Sequence, residues 1–303
     1  MAIKSWTSLL EQTFRNWSDH QAIRLSAAVA FYSLLSIAPL LIFVTALVAV
    51  VVSKQAAQAT LIHEAYQVMG SRGAEVVRGL LKNVHQHSSG SFATAVAFIT
   101  LLFGASGVFS ELRDAMNTIW DAQSEYANSW RGMVMQRLFS FGMVLSVGFL
   151  LLVSLMLSTA LAFIGTFFAS VVPFPPMFLE ALNFLLSFAV ITFLFALIFK
   201  FVPAVTVPWE DVVVGSVGTA LLFTIGKFLL GLYLGKASIG SAYGAAGSIV
   251  ALIVWVYYSA QIFFFGAEFT RVYSDARIKR EREAREEHRQ VEATTPKTFR
   301  ASA

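Results

Sequence analysis

Polar and ionisable side chains are scarce in the apolar stretches of this chain, so the few that enter them are its candidates for chemistry. Placing such groups in hydrocarbon costs free energy unless they are paired or face a cavity. Four places stand out. Tyr32, Ser33, Ser36 and Pro39 share one apolar run, and Pro39 cannot donate a backbone hydrogen bond, so it frees a carbonyl near Leu35. The freed backbone either lines a path or forms a packed kink satisfied by the serine hydroxyls. Gly104-Ala-Ser-Gly107, with Ser106, either lets a neighbouring helix come close or marks a thinned segment next to a substrate. Arg113, Asp114 and Asn117 follow directly. Lys227 either extends its stem to an interface or presents a cation to a cavity, where it would attract a phosphate or carboxylate. Glu268 needs a partner, and Arg24, Arg113, Lys200 and Arg271 are the basic residues able to reach a shared layer with it. Such pairing fixes helix order; proton coupling or headgroup contact is the alternative.

No Ser-His-Asp set, paired acids in a cleft or phosphate-binding Gly-Lys-Ser/Thr sequence is visible. Cysteine is absent, which removes disulfides, thiolate metal sites and cysteine nucleophiles. The one His-x-His sequence, His85-Gln86-His87, continues as Ser-Ser-Gly and offers two ligands where a catalytic metal needs more. The expectation is a protein that is not an enzyme and has no cofactor or metal. Arg24, Tyr32, Ser36, Pro39, Ser106, Arg113, Asn117, Lys227 and Glu268 are its candidate substrate contacts.

These residues are positioned by six long apolar runs: Ala27–Val52, Phe92–Phe109, Leu138–Phe163, Phe178–Phe201, Val212–Leu234 and Gly247–Phe269. Each reaches or approaches the roughly 20 residues a helix needs to cross a bilayer core. Hydrophobic residues make up 57% of the chain and charged residues 13%, about half the charged share of a soluble domain. Lipid leaves only helices or a closed barrel, and the runs are continuous rather than alternating, which excludes the barrel. The expected fold is all-α: a polytopic membrane protein with six transmembrane helices, an amphipathic N-terminal helix, a helical outer loop and a charged C-terminal tail.

Residues 1–26 carry Trp6, Leu9, Leu10, Phe14 and Trp17 at helical spacing, which predicts an interfacial helix. The six-helix domain covers 27–269. Its longest connection, 53–91, has two helical patterns, Gln58–Val68 and Ala74–Val84, separated by Gly70 and Gly73. Val172–Pro176 is a short Pro-rich turn, and Glu111–Gln136 is an amphipathic connection on the opposite side. Gly240 and Gly244 form a Gly-x-x-x-Gly pair before the last run. Glu210 and Asp211, at the start of the fifth run, suit the positive end of a helix dipole. The tail, 270–303, mixes Arg, Lys and Glu in the manner of a solvated helix and turns Thr-, Pro-, Ala- and Ser-rich after Gln290, which predicts a disordered end.

Six spans place both termini on one side. Sixteen Lys and Arg residues then share that side and five lie opposite, which predicts cytoplasmic termini. The net charge of +4 reflects this asymmetry and gives no reason to expect nucleic acid.

Ser26-Ala-Ala-Val-Ala-Phe-Tyr-Ser-Leu-Leu-Ser-Ile-Ala-Pro-Leu resembles the opening signature of the YihY / virulence factor BrkB membrane proteins. Ala105-Ser-Gly107, Ala115-Met-Asn-Thr-Ile-Trp120, Pro203 with Trp209, and Tyr243-Gly-Ala-Ala-Gly-Ser248 leading through Trp255 and Tyr257 to Gly266-Ala-Glu268 continue it in order. The resemblance implies a six-helix protein of the bacterial inner membrane. It also implies a link to export of envelope lipids or to transport generally. The ribonuclease BN label once carried by the family is not expected to apply, because the His-x-His-x-Asp-His ligand run of such nucleases is missing here. The expected function is thus a transporter or exporter of an envelope lipid or other anionic amphipathic substrate, with membrane lipids as partners. The alternatives are a scaffold that joins envelope proteins and a membrane-embedded lipid enzyme.

Overall fold

The computed structural model describes residues 6–48, 54–87, 107–122, 176–236 and 247–294. The described residues form α1 (Trp6–Asp19), α2 (Ala22–Val48), α3 (Lys54–His87), α4 (residues 107–119), α5 (Pro176–Phe201), α6 (Trp209–Lys236) and α7 (Gly247–Thr294). The all-α expectation holds across them. Three stretches, Phe184–Phe201, Trp209–Tyr233 and Ile249–Gln290, are long and apolar enough to cross a bilayer, and Ala22–Ile37 is a shorter apolar helix. The runs at 138–163 and at 92–106 lie outside the described residues, as do the 172–175 turn and the Gly240/Gly244 pair.

α7 is the central element and packs on α1, α2, α3 and α6, while α5 packs on α6. Aromatic rings fill the junction of α5, α6 and α7. Phe199 and Phe263 stand 5.3 Å apart, Phe195 and Phe223 5.7 Å, and Phe195 and Phe263 6.0 Å. The opposite surfaces stay apolar. Val213, Val217, Leu221, Phe228 and Leu232 on α6 and Phe184, Leu185 and Phe193 on α5 are all exposed. Helical spacing puts the α6 residues in one stripe, the surface that a lipid-facing helix requires.

Buried and half-buried hydroxyls solve their own hydrogen bonding. Thr13 donates to the Leu9 carbonyl, Ser26 to Ala22 and Thr192 to Phe188. Each bonds a carbonyl one turn back on its own helix, so a polar group sits in an apolar layer without another partner.

The closest crossing joins α6 to α7. A Cβ added at Gly215 would lie 1.9 Å from Thr270 Oγ1, and one added at Gly266 would lie 2.0 Å from Thr219 Oγ1. Thr219 donates to the Gly215 carbonyl at 2.6 Å and Thr270 to the Gly266 carbonyl at 2.7 Å. Two Gly-x-x-x-Thr pairs thus clasp one another, the small-residue packing that membrane helices use to bring backbones together.

Two boundaries differ from the sequence expectation. α1 ends at Asp19 and α2 already begins at Ala22, five residues before the apolar run, because the chain reverses through Gln21 in the left-handed region (φ 53°). α7 continues to Thr294, past Gln290, and its 48 residues make about 72 Å of helix against a hydrocarbon core of about 30 Å.

α3 is helical throughout, yet Leu61, Ile62 and Ala65 pack with Val77 and Leu81. On a straight helix Ala65 and Val77 would stand about 18 Å apart. The element therefore folds back between them, where Gly70 and Gly73 lie, and forms the two helical limbs that the sequence pattern indicates.

Candidate functional site

The α1–α2 turn, the end of α4, the α5–α6 link and residues 268–277 of α7 converge at one end of the bundle. The His20 ring nitrogen Nδ1 lies 2.5 Å from Glu268 Oε1. Glu268 is fully buried, and its second oxygen, Oε2, has no hydrogen-bond partner among the described residues. One turn on, Arg271 donates to the Ile119 carbonyl and pairs with Asp121, which holds a left-handed backbone (φ 47°) at the end of α4. Arg271 Nε also lies 3.8 Å from Asp275.

A second knot ties α6 to α7. Asp211 is buried, accepts from Ser274 at 2.8 Å and faces Arg277 through Nη2 at 3.0 Å and Nε at 2.8 Å. Glu210 pairs with the same guanidinium. The acids expected to suit the helix dipole therefore also bind a specific arginine. Lys200 donates to the Val207 carbonyl at 2.5 Å and sits 5.5 Å above the Trp209 ring, which closes the α5–α6 link.

Next to His20, Trp17, Ser18, Gln21, Ala22, Ile23, Arg24 and Ala27 meet Tyr257 of α7 around a groove of about 460 Å³. Arg24, Gln21 and Ser18 supply its polar lining; Ala22, Ile23, Ala27 and the two aromatic rings supply its apolar lining. Burial and the nearby Asp114 charge raise the Glu111 carboxyl above its ordinary value near 4.5, and Arg24 partly offsets them.

The expected site residues divide accordingly. Arg24 lines the groove and Glu268 lies beside it. Asn117 is buried and accepts the Ala204 N–H at 2.9 Å through Oδ1, so it fastens α4 to the α5–α6 link. Arg113 is half-buried and partnered. Tyr32 closes over Gly107, where an added Cβ would meet its ring at 2.7 Å. Ser36 is buried and donates to the Ser33 carbonyl at 3.0 Å, and the α2 backbone stays helical through Pro39. Lys227 is half-buried with no partner among the described residues and lies about 27 Å along α6 from Trp209. It is therefore not brought to Arg24. Ser106 and the side chains of Pro39, His85 and His87 lie outside the described residues.

Sequence reasoning named Arg271 but missed His20, Asp121 and Gln21, and it placed Trp17 and Tyr257 only in the interfacial helix and the family signature. His20 and Glu268 are 248 residues apart, and no local pattern links them. The available signal was the Asp19-His20-Gln21 break in the helical pattern ahead of α2. Among the described residues no cluster of three or more potential ligands could hold a metal ion.

The sequence model of the family described as Virulence factor BrkB matches residues 13–291. A UPF0761 membrane protein of Cronobacter sakazakii is 30% identical over 206 residues, 67% of each chain. The UPF0761 membrane protein YihY of Escherichia coli is 30% identical over 179 residues, 58% of each chain. A UPF0761 membrane protein of Ralstonia nicotianae is 23% identical over 265 residues, 86% of this chain and 57% of its own. The matched stretch thus spans less than two thirds of the length of the latter two relatives. No solved structure matches the chain.

Proposed function

The chain belongs to the virulence factor BrkB family of membrane proteins, and from that premise we propose that it is a non-enzymatic carrier of an anionic amphipathic envelope component, a lipid with an acidic headgroup. The observation that carries this reading is the groove between the α1–α2 turn and Tyr257. Its polar lining holds the exposed Arg24 guanidinium, suited to two-point contact with a phosphate oxygen pair. Its apolar lining includes Ile23, and Phe31 is exposed farther along α2. A headgroup at Arg24 with its chains against α2 fits that division of polarity. Trp6, Leu10 and Phe14, all exposed on α1, would rest in the lipid interface next to the groove.

In this reading the protein resides in the bacterial cytoplasmic membrane with both termini in the cytoplasm, so cargo enters from the inner leaflet. The test is leaflet exchange of labelled phosphatidylglycerol in vesicles that contain the purified full chain. Protein-dependent exchange is expected, and Arg24→Gln should slow it about tenfold, the loss of one charge-assisted contact. If no anionic lipid moves faster than in protein-free vesicles, the carrier reading fails. A scaffold is the second reading, favoured by the fully exposed charged stretch 281–290. Deleting residues 281–303 should leave lipid exchange intact in a carrier and abolish envelope-complex assembly in a scaffold.

A further inference from the structure

We propose that the groove between the two limbs of α3 is a second lipid site, which takes the phosphate-bearing headgroup of an anionic phospholipid at the end of the bundle away from the ion pairs. Ala59, Ile62, His63, Tyr66, Ala74 and Arg78 surround a space of about 420 Å³, within the usual range of ligand pockets. Because Tyr66 and Ala74 flank the reversal of α3, residues distant along the helix meet across one opening.

The chemistry divides as a lipid does. Ile62 and Ile37 of α2 both pack against the buried cluster of Val77 and Leu81, so the apolar floor is continuous with the apolar helix α2. His63, Tyr66 and Arg78 are exposed at the rim. Arg78 and Arg24 are the two groove-lining guanidiniums, and neither makes an ion pair among the described residues. Arg15 is neutralised by Glu11, Arg271 by Asp121 and Arg277 by Asp211 and Glu210. Arg78 makes no ion pair or hydrogen bond among the described residues, although it lines a cavity. A guanidinium left uncompensated beside a phenol and an imidazole offers donors to one anion, and its planar fork suits phosphate oxygens. The element is basic as well: Lys54, Arg72, Arg78 and Lys82 outnumber Glu64 and Glu75. A tyrosine beside an apolar floor is also the usual side chain of the membrane–water interface. A lipid headgroup therefore fits better than a freely soluble anion, which would have no use for the floor.

The site deepens the carrier reading by giving the cargo a station at the far end, and its test reads binding rather than movement, so the two fail separately. The full chain is placed in phosphatidylcholine vesicles doped with a photoreactive phosphatidylglycerol, and cross-linked peptides are mapped by mass spectrometry. Labelling between Ala59 and Arg78 is expected, with about a tenfold loss in Arg78→Gln. Lys82→Gln, one turn on and outside the groove, should leave it unchanged. Tyr66→Phe deletes only the hydroxyl and should lower labelling severalfold, which keeps the question open to test if Arg78→Gln fails to fold. Unchanged labelling in both Arg78→Gln and Tyr66→Phe overturns the site. Equal losses in Arg78→Gln and Lys82→Gln overturn it too, because they indicate diffuse charge. Full displacement by soluble inorganic phosphate overturns the assignment to lipid.

Discussion

At the residue scale, the buried carboxylates set the terms of stability. Glu268 is enclosed with one oxygen near His20 and the other without a hydrogen-bond partner among the described residues, so removing the imidazole strands a buried acid. His20→Ala should lower stability by about 3 kcal/mol, the usual cost of breaking a buried pair from one side. Adding Glu268→Gln to that variant should recover part of the loss, because a neutral amide needs no counter-charge. Thermal unfolding in detergent measures the cycle, and an additive outcome would disprove the coupling. Asp211 behaves differently because Ser274 and Arg277 both donate to its Oδ2 and the Arg277 Nε lies 2.8 Å from its Oδ1. Ser274→Ala removes one charge-assisted hydrogen bond and should cost about 1.5–3 kcal/mol, read from the same melts. Glu111 gives a pH dependence. Its carboxyl is raised by burial and by Asp114, so the folded state favours the protonated form. Its contribution to stability is complete below the ordinary value near 4.5 and is lost as pH rises through the raised folded value. Glu111→Gln should therefore raise Tm at neutral pH and leave it unchanged at pH below that window. An equal gain at both pH values would refute this account.

At the element scale, helix pairing depends on the absence of side chains at two positions. Gly215 and Gly266 each receive a threonine from the facing helix, and a Cβ at either would overlap it. Gly215→Leu should separate α6 from α7 and destabilise the fold by about 3 kcal/mol or more, at the upper end of overpacking costs. Gly231→Leu is the control, since nothing lies near its Cβ direction. Equal melts for the two variants would mean that the clasp contributes nothing. The clasp also marks where sequence reading stopped. Apolar runs announce helices because lipid dictates composition, and the two limbs of α3 were visible through helical spacing interrupted by Gly70 and Gly73. The Gly-x-x-x-Thr pairs were equally present in the sequence, but small residues recur through these runs, and spacing alone does not say which helix they face. The groove was less legible still. Arg24 was visible as a basic residue able to meet Glu268 or a substrate, whereas Trp17 read as part of the interfacial helix and Tyr257 as part of the family signature; the α1–α2 turn brings them together.

At the scale of the whole molecule, the ion pairs and the charge count bear on the same question from different directions. Residues 20, 121, 211, 268, 271 and 277 gather at one end of the bundle, so α1 and the charged extension of α7 emerge together there. Common emergence is a matter of packing, while the choice of membrane face is a matter of charge. The seventeen residues past Arg277 as far as Thr294 add about 26 Å of helix, exposed throughout 281–290. That stretch carries Arg282, Arg285 and Arg289, which lie close enough to the membrane end to weigh in the positive-inside balance. The absence of cysteine makes the orientation directly measurable, since any introduced thiol is unique. Ala284→Cys on the exposed helix should react with a membrane-impermeant maleimide only after cells are opened. Gln55→Cys, exposed at the start of α3, should react in intact cells. Labelling of both from outside would break the common architecture. A clean reversal would keep the bundle but invert the membrane face, and with it the leaflet from which the Arg24 groove draws its cargo.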